Sequence, residues 1–173
     1  LCDGKLRTVL QFKNNCIGND LKKTSYSSIN QKKYPLGLNN CTSCNHFQLN
    51  ISIDPRVLYA SNYTYLSGIG KTFVNHFSDY CNWITKKLKL NKKDFVVDIG
   101  SNDGTCLSFF KKKKINICGV DPAKLPTKIA NEKGIYTLNK FYGEKTNKFI
   151  IKKFGQPSLI TSHNVVAHIE DIK

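Results

Sequence analysis

At 173 residues with 40% hydrophobic and 11% aromatic content, the chain has the make-up of a medium folded domain, or of a small module joined to part of a larger one. No apolar run is long enough to span a bilayer and no charged segment leads into an apolar one at the N-terminus, so no membrane partner is expected and a cytoplasmic setting is. The net charge of +15 is almost all lysine, with Arg7 and Arg56 the two arginines; bases and phosphates are gripped better by arginine forks, so the charge argues for a solvated surface or an acidic small molecule and against nucleic acid.

Residues 1–54 are expected to form a small, irregular zinc-binding module. They carry Cys2, Cys16, Cys41 and Cys44, turn signals at Gly18-Asn19-Asp20 and Tyr34-Pro35-Leu36-Gly37, and little helical periodicity. A segment of this kind buries little apolar surface by itself, so a metal staple is physically sensible. Cys41-Thr42-Ser43-Cys44 has the spacing that lets two thiolates reach one tetrahedral zinc, with Cys2 the third ligand and Cys16 or His46 open as the fourth. The alternative is a set of ordinary reduced or redox-active cysteines. The seven cysteines are odd in number and follow no secretory signal, which favours metal over disulfides.

Residues 55–90 are expected as a helical connector. Asp54 can cap a short helix that has Pro55 at its first position, and Phe73, Phe77, Tyr80, Ile84 and Leu88 follow helical spacing over 71–88. From 91 to 173 strands and helices alternate. Strands are predicted at 95–100, 115–120, 135–138 and 158–162, and helices at 105–113, 122–133 and 149–154, with Gly134 stopping the second of these. That alternation gives an α/β fold class with a parallel, Rossmann-like sheet. Cys81, Cys106 and Cys118 fall in apolar contexts and read as core.

The segment Asp98-Ile99-Gly100-Ser101-Asn102-Asp103-Gly104-Thr105 is the candidate cofactor loop. Gly100 permits a tight turn after the strand, Gly104 a close approach of backbone to ligand, and ligands in such sheets sit beyond the carboxyl ends of the strands. Asp121 ends the next strand, where a carboxylate can accept hydrogen bonds from both ribose hydroxyls. A dinucleotide fingerprint has a third glycine where this chain has Asn102, and Asp103 adds negative charge where a pyrophosphate would come. Adenosylmethionine has no phosphate and a cationic end, so it fits better than a nicotinamide cofactor.

Taken in order, these residues resemble the zinc-containing sugar C-methyltransferases. The resemblance is carried by Tyr34-Pro35-Leu36, Cys41 and Cys44 with Gln48-Leu49, Asp54-Pro55, Tyr63-Thr64-Tyr65 with Ser67-Gly68, the glycine loop, Gly119-Val120-Asp121-Pro122, and Asn164-Val165-Val166-Ala167-His168-Ile169-Glu170-Asp171. It implies a class I, S-adenosylmethionine-dependent enzyme acting on a nucleotide-linked deoxy-ketosugar through an enolate, with zinc as a second cofactor. Cys2, Cys41 and Cys44 would match zinc ligands, and Gly100, Asn102, Asp103 and Asp121 would match cofactor contacts. Asn164 is expected to line the cofactor pocket. His168 and one of Tyr63 and Tyr65 would face the sugar, although the two tyrosines could equally be packing residues; His163 is left open. Against this family the chain lacks a cysteine before Cys2 and stops after the fourth strand, so it is expected to be the N-terminal part of a longer protein. A zinc-ribbon nucleic-acid module and a nicotinamide-dependent oxidoreductase are the competing classes.

Overall fold

The computed structural model describes residues 2–25, 29–60 and 63–169, which form two compact units, residues 1–58 and 59–173. Glu170 and Asp171 of the terminal motif lie outside the described residues.

The first unit is more regular than its sequence suggests. β1 (Leu6–Asn15), β2 (Tyr34–Cys41) and β3 (Phe47–Leu49) make a three-stranded antiparallel sheet in the order β1-β2-β3. Leu10 pairs with Leu38, Phe12 with Leu36, and Leu38 in turn with Leu49. The expectation of an irregular segment fails because the ladder is interrupted. Its register shifts between Thr8 and Leu10, and again between Phe12 and Asn15. The second shift lies opposite Pro35, which has no N–H to donate, and a bulge accommodates that gap. Broken alternation of this kind hides a strand from a search for period two. A short turn of wide helix follows at Arg56–Ala60, and Asp54 caps it as expected, its Oδ1 accepting from the Arg56 N–H at 2.8 Å.

The second unit holds four parallel strands in the order β6-β5-β4-β7, namely β4 (Phe95–Ile99), β5 (Asn116–Val120), β6 (Thr137–Leu138) and β7 (Leu159–Ser162). The helices are α1 (Lys71–Leu88), α2 (Thr105–Lys112), α3 (Lys124–Glu132) and α4 (Glu144–Phe154). Side chains alternate across β4, so its two faces feed two cores. Val96 joins Phe77, Cys81, Ile84, Leu107, Phe110 and Ala130 on one side, while Phe95 and Val97 join Cys118, Val120 and Ile150 on the other. Cys81, Cys106 and Cys118 are buried, as read from sequence. α4 begins five residues earlier than the apolar pattern indicates, at Glu144, directly after Gly143. Acid in a first turn suits the helix dipole, a start signal that the apolar pattern does not report. The second unit is a mixed α/β fold built on a parallel sheet. Because every strand runs the same way, Ile99, Val120, Leu138 and Ser162 end on one edge, and the candidate site is built there.

Candidate functional site

The loop after β4 turns back at once. Gly100 has φ 71°, and both its N–H and that of Ser101 donate to the Val120 carbonyl. The position a Cβ would take at Gly100 is filled by Val165 Cγ2, and at Gly104 (φ 75°) it lies 2.8 Å from Ile135 Cγ2. Both glycines are therefore required by backbone conformation and close packing; the room expected at Gly104 for a ligand belongs to Ile135.

Asp121 stands at the mouth of this turn. Its Oδ2 accepts from the Asn102 N–H and its Oδ1 from the Ala123 N–H, each at 2.8 Å. The carboxylate is thereby fixed at the end of β5, with lone pairs left on each oxygen. Burial pushes its pKa up, against the pull of those two N–H groups.

Asn102 and Asp103, both expected as cofactor contacts, instead turn their side chains into the protein. Asn102 sits in the left-handed region (φ 51°), its Oδ1 accepting from Ser67 N–H at 2.9 Å while its Nδ2 donates to the Tyr65 carbonyl at 3.0 Å. Asp103 accepts from the Thr105 hydroxyl at 2.6 Å and the Gly68 N–H at 3.2 Å, and pairs with Lys133 at 3.2 Å. Two further carboxyl groups, Asp121 and Asp98, stand at the carboxyl ends of the central strands. Asp98 is fully buried at the end of β4, where its Oδ1 accepts the Thr161 hydroxyl at 2.7 Å; burial pushes its pKa up to about 7. No lysine or arginine among the described residues pairs with either carboxylate. Unneutralised carboxylates with lone pairs to share suit a ligand that carries hydroxyls and a cationic centre better than a pyrophosphate. The buried hydroxyls of Ser101 and Ser162, beside the end of β4, also lack a protein partner.

The aromatic residues picked from the sequence gather on the same unit. Tyr63 and Tyr65 lie 6.4 Å apart between ring centroids, and Tyr59 bridges Tyr63 (5.6 Å) and His168 (5.7 Å). Tyr59 was missed, although its place four residues before Tyr63 is visible in the sequence. Burial, then the charge of Asp121, raises the Tyr63 pKa, which puts that phenol within electrostatic reach of the mouth. His168 and Asn164 are exposed, the latter with φ 56°. His163 is a packing residue. Its ring meets Tyr80 at 4.8 Å and Phe77 at 5.0 Å, its Nε2 is 3.7 Å from Cys106 Sγ, and burial lowers its pKa.

In the other unit Cys2, Cys41 and Cys44 come together, with their sulfurs all within 4.8 Å. Cys16 and His46 are not part of the cluster. Cys2 Sγ lies 3.4 Å from Cys41 Sγ and 3.2 Å from Cys44 Sγ. A tetrahedral zinc with bonds of about 2.3 Å would hold its sulfurs about 3.8 Å apart, so a small outward movement of the thiolates would seat the ion. Backbone N–H groups of Cys44 and Ser43 point at Cys41 Sγ and hold its pKa down to about 7, whereas the hydrogen bond with Cys44 pushes the Cys2 thiol up against the Gly4 N–H that points at its Sγ. Donors aimed at sulfur are what thiolate ligands need.

No family model matches the chain. It is 28% identical over 139 residues to the C-methyltransferase NovU of Streptomyces niveus, covering 80% of this chain but about a third (33%) of that protein. Among solved structures, the plantazolicin methyltransferase BpumL in complex with SAH aligns over 60% of this chain and 45% of that one, with a TM-score of 0.39 and 18% identity. The chain is thus similar in sequence to a C-methyltransferase, and it carries a four-stranded parallel sheet and a three-cysteine cluster.

Proposed function

We propose that this chain carries the cofactor-binding part of a class I, S-adenosylmethionine-dependent methyltransferase that methylates carbon on a nucleotide-linked deoxy-ketosugar, with zinc held by Cys2, Cys41 and Cys44 in a structural role. The observation that supports it most is Asp121, a buried carboxylate fixed by two backbone N–H groups at the mouth of a glycine turn, in a chain similar to a C-methyltransferase.

Adenosylmethionine supplies an electrophilic methyl group on a cationic sulfur. The chain's own residues have three tasks. Asp121 accepts the ribose hydroxyls, which requires its ionised form. Ionised Asp121 makes the mouth negative and so favours a cationic ligand. His168, with Tyr59, Tyr63 and Tyr65 beside it, forms an aromatic wall with exchangeable protons, suited to hold the ketosugar and stabilise the oxygen of its enolate. Removal of the proton from the carbon next to the ketone leaves that enolate as the carbon nucleophile.

Enolate formation can be followed directly. Incubated in deuterium oxide with adenosylhomocysteine and a nucleotide-linked deoxy-ketosugar, the full-length protein is expected to exchange the hydrogen on the carbon beside the ketone. His168→Ala should slow that exchange by about 10²-fold or more, the usual share of a positioned proton-handling group. Binding of the sugar without any exchange would contradict carbon methylation.

A further inference from the structure

Residues 65–68 and 102–103 are far apart in sequence and tied together by three hydrogen bonds. Ser67 N–H donates to Asn102 Oδ1 at 2.9 Å, Asn102 Nδ2 to the Tyr65 carbonyl at 3.0 Å, and Gly68 N–H to Asp103 Oδ2 at 3.2 Å. The first two are a reciprocal amide–backbone pair, the kind of contact that fixes a segment in one register. Ser67 is buried, as are Asn102 and Asp103, so water does not substitute readily for these bonds. The fit is also steric, since a Cβ on Gly68 would lie 2.6 Å from Asp103 Oδ2 and 2.8 Å from Thr105 Oγ1.

The same Asn102 reaches the other way through its backbone. Held at φ 51°, it aims its N–H at Asp121 Oδ2, 2.8 Å away. Few side chains adopt that conformation, and asparagine is among those that do. One residue therefore contacts the acid at the mouth with its main chain and the tyrosine segment with its carboxamide.

We propose that Asn102 is a positioning residue, a latch that sets the tyrosine wall according to whether Asp121 is occupied. This rests on the reading of Asp121 as the cofactor's ribose acceptor. Ribose hydroxyls donating to Asp121 stiffen its place and that of the Asn102 N–H bonded to it. The carboxamide passes that order to Tyr65 and Ser67, and so to the rings of Tyr63 and Tyr65. The acceptor-facing wall is then fully set only when the methyl donor is in place, which gives ordered binding without a moving lid.

Hydrogen exchange on the chain, with adenosylhomocysteine as the probe, tests this. Asn102→Gly removes the carboxamide yet keeps a residue at ease with positive φ, so the turn itself is unstrained. The Ser67 amide of the unmodified chain should exchange slowly, and more slowly still with adenosylhomocysteine bound. In Asn102→Gly it should exchange about tenfold faster, the loss of one buried hydrogen bond, and no longer respond to the probe. The Val97 amide in β4 should keep its rate, which separates the latch from general loosening. Asn102→Asp retains the acceptor for Ser67 and should restore part of the protection. In the full-length enzyme Asn102→Gly should raise the acceptor KM more than the cofactor Kd. Unchanged Ser67 exchange in Asn102→Gly, or a tenfold loss of cofactor affinity with Ser67 still protected, would overturn the latch and make Asn102 a plain cofactor contact. If adenosylhomocysteine does not bind the unmodified chain at all, the cofactor reading fails and the transmitted part of the proposal with it, while the Ser67 rate in Asn102→Gly still decides whether the latch exists.

Discussion

Asp98 is the residue whose chemistry most departs from its sequence appearance. An acid in the apolar run Phe95-Val96-Val97-Asp98-Ile99 is fully buried, its pKa pushed up from 3.8 to about 7 by that burial. Below about pH 4 it is protonated in folded and unfolded chains alike. Between about pH 4 and 7 the folded chain keeps a proton that the unfolded chain has released, so stability falls as pH rises through that window and levels off above it. Asp121 is shifted in the same direction and adds to the slope; Asp54 and Asp94 are shifted down by their hydrogen bonds and act below that window. Asp98→Asn keeps an acceptor for Thr161 and should flatten the fall in melting temperature between pH 4 and 7. A slope as steep as that of the unmodified chain would refute the buried neutral carboxyl. Gly100 makes a second test at this scale. Alanine there meets both an unfavourable φ of 71° and Val165 Cγ2, and should cost about 2–4 kcal/mol in a denaturant titration.

At the level of elements, legibility followed continuity of pattern. The strands of the second unit are short, largely apolar runs, the first two followed by Gly100 and Asp121, and each was visible, as was α1 from its helical stripe. β1 escaped notice because its register shifts twice, the second time opposite Pro35. The site was half legible. Gly100, Asn102, Asp103 and Asp121 do meet at one turn, but the directions of Asn102 and Asp103 depend on a partner segment, residues 65–68, that no local pattern names. Tyr59 joins His168 through folding alone. The cysteine cluster was readable from spacing for Cys41 and Cys44, and Cys2 closes it across a ladder that pairs Leu6 with Cys41. Zinc bound there should be measurable by elemental analysis at about one ion per chain. Cys44→Ser should lower that content and the melting temperature, whereas Cys16→Ser, outside the cluster, should change neither; equal effects would show that the three thiols do not hold the metal.

For the whole molecule, the charge of +15 is spread over lysines along the entire chain, and no helix among the described residues is long and apolar enough to cross a membrane. The chain spans about a third (33%) of the curated relative it matches, and the proposed cofactor capture is a property for which the second unit can be tested directly. The interior that supports it is specific. Phe110, on α2, is fully buried in the core that α1 and β4 share, and Phe110→Ala should remove about 3–5 kcal/mol of stability. The central claim is that Asp121 receives a ribose. Calorimetric titration of the chain with adenosylmethionine should show one site, and Asp121→Asn, checked for an unchanged fold by circular dichroism, should weaken it by about tenfold or more through loss of charge-assisted hydrogen bonds. Equal affinity in the two proteins, or tighter binding of NADH than of adenosylmethionine, would contradict the account.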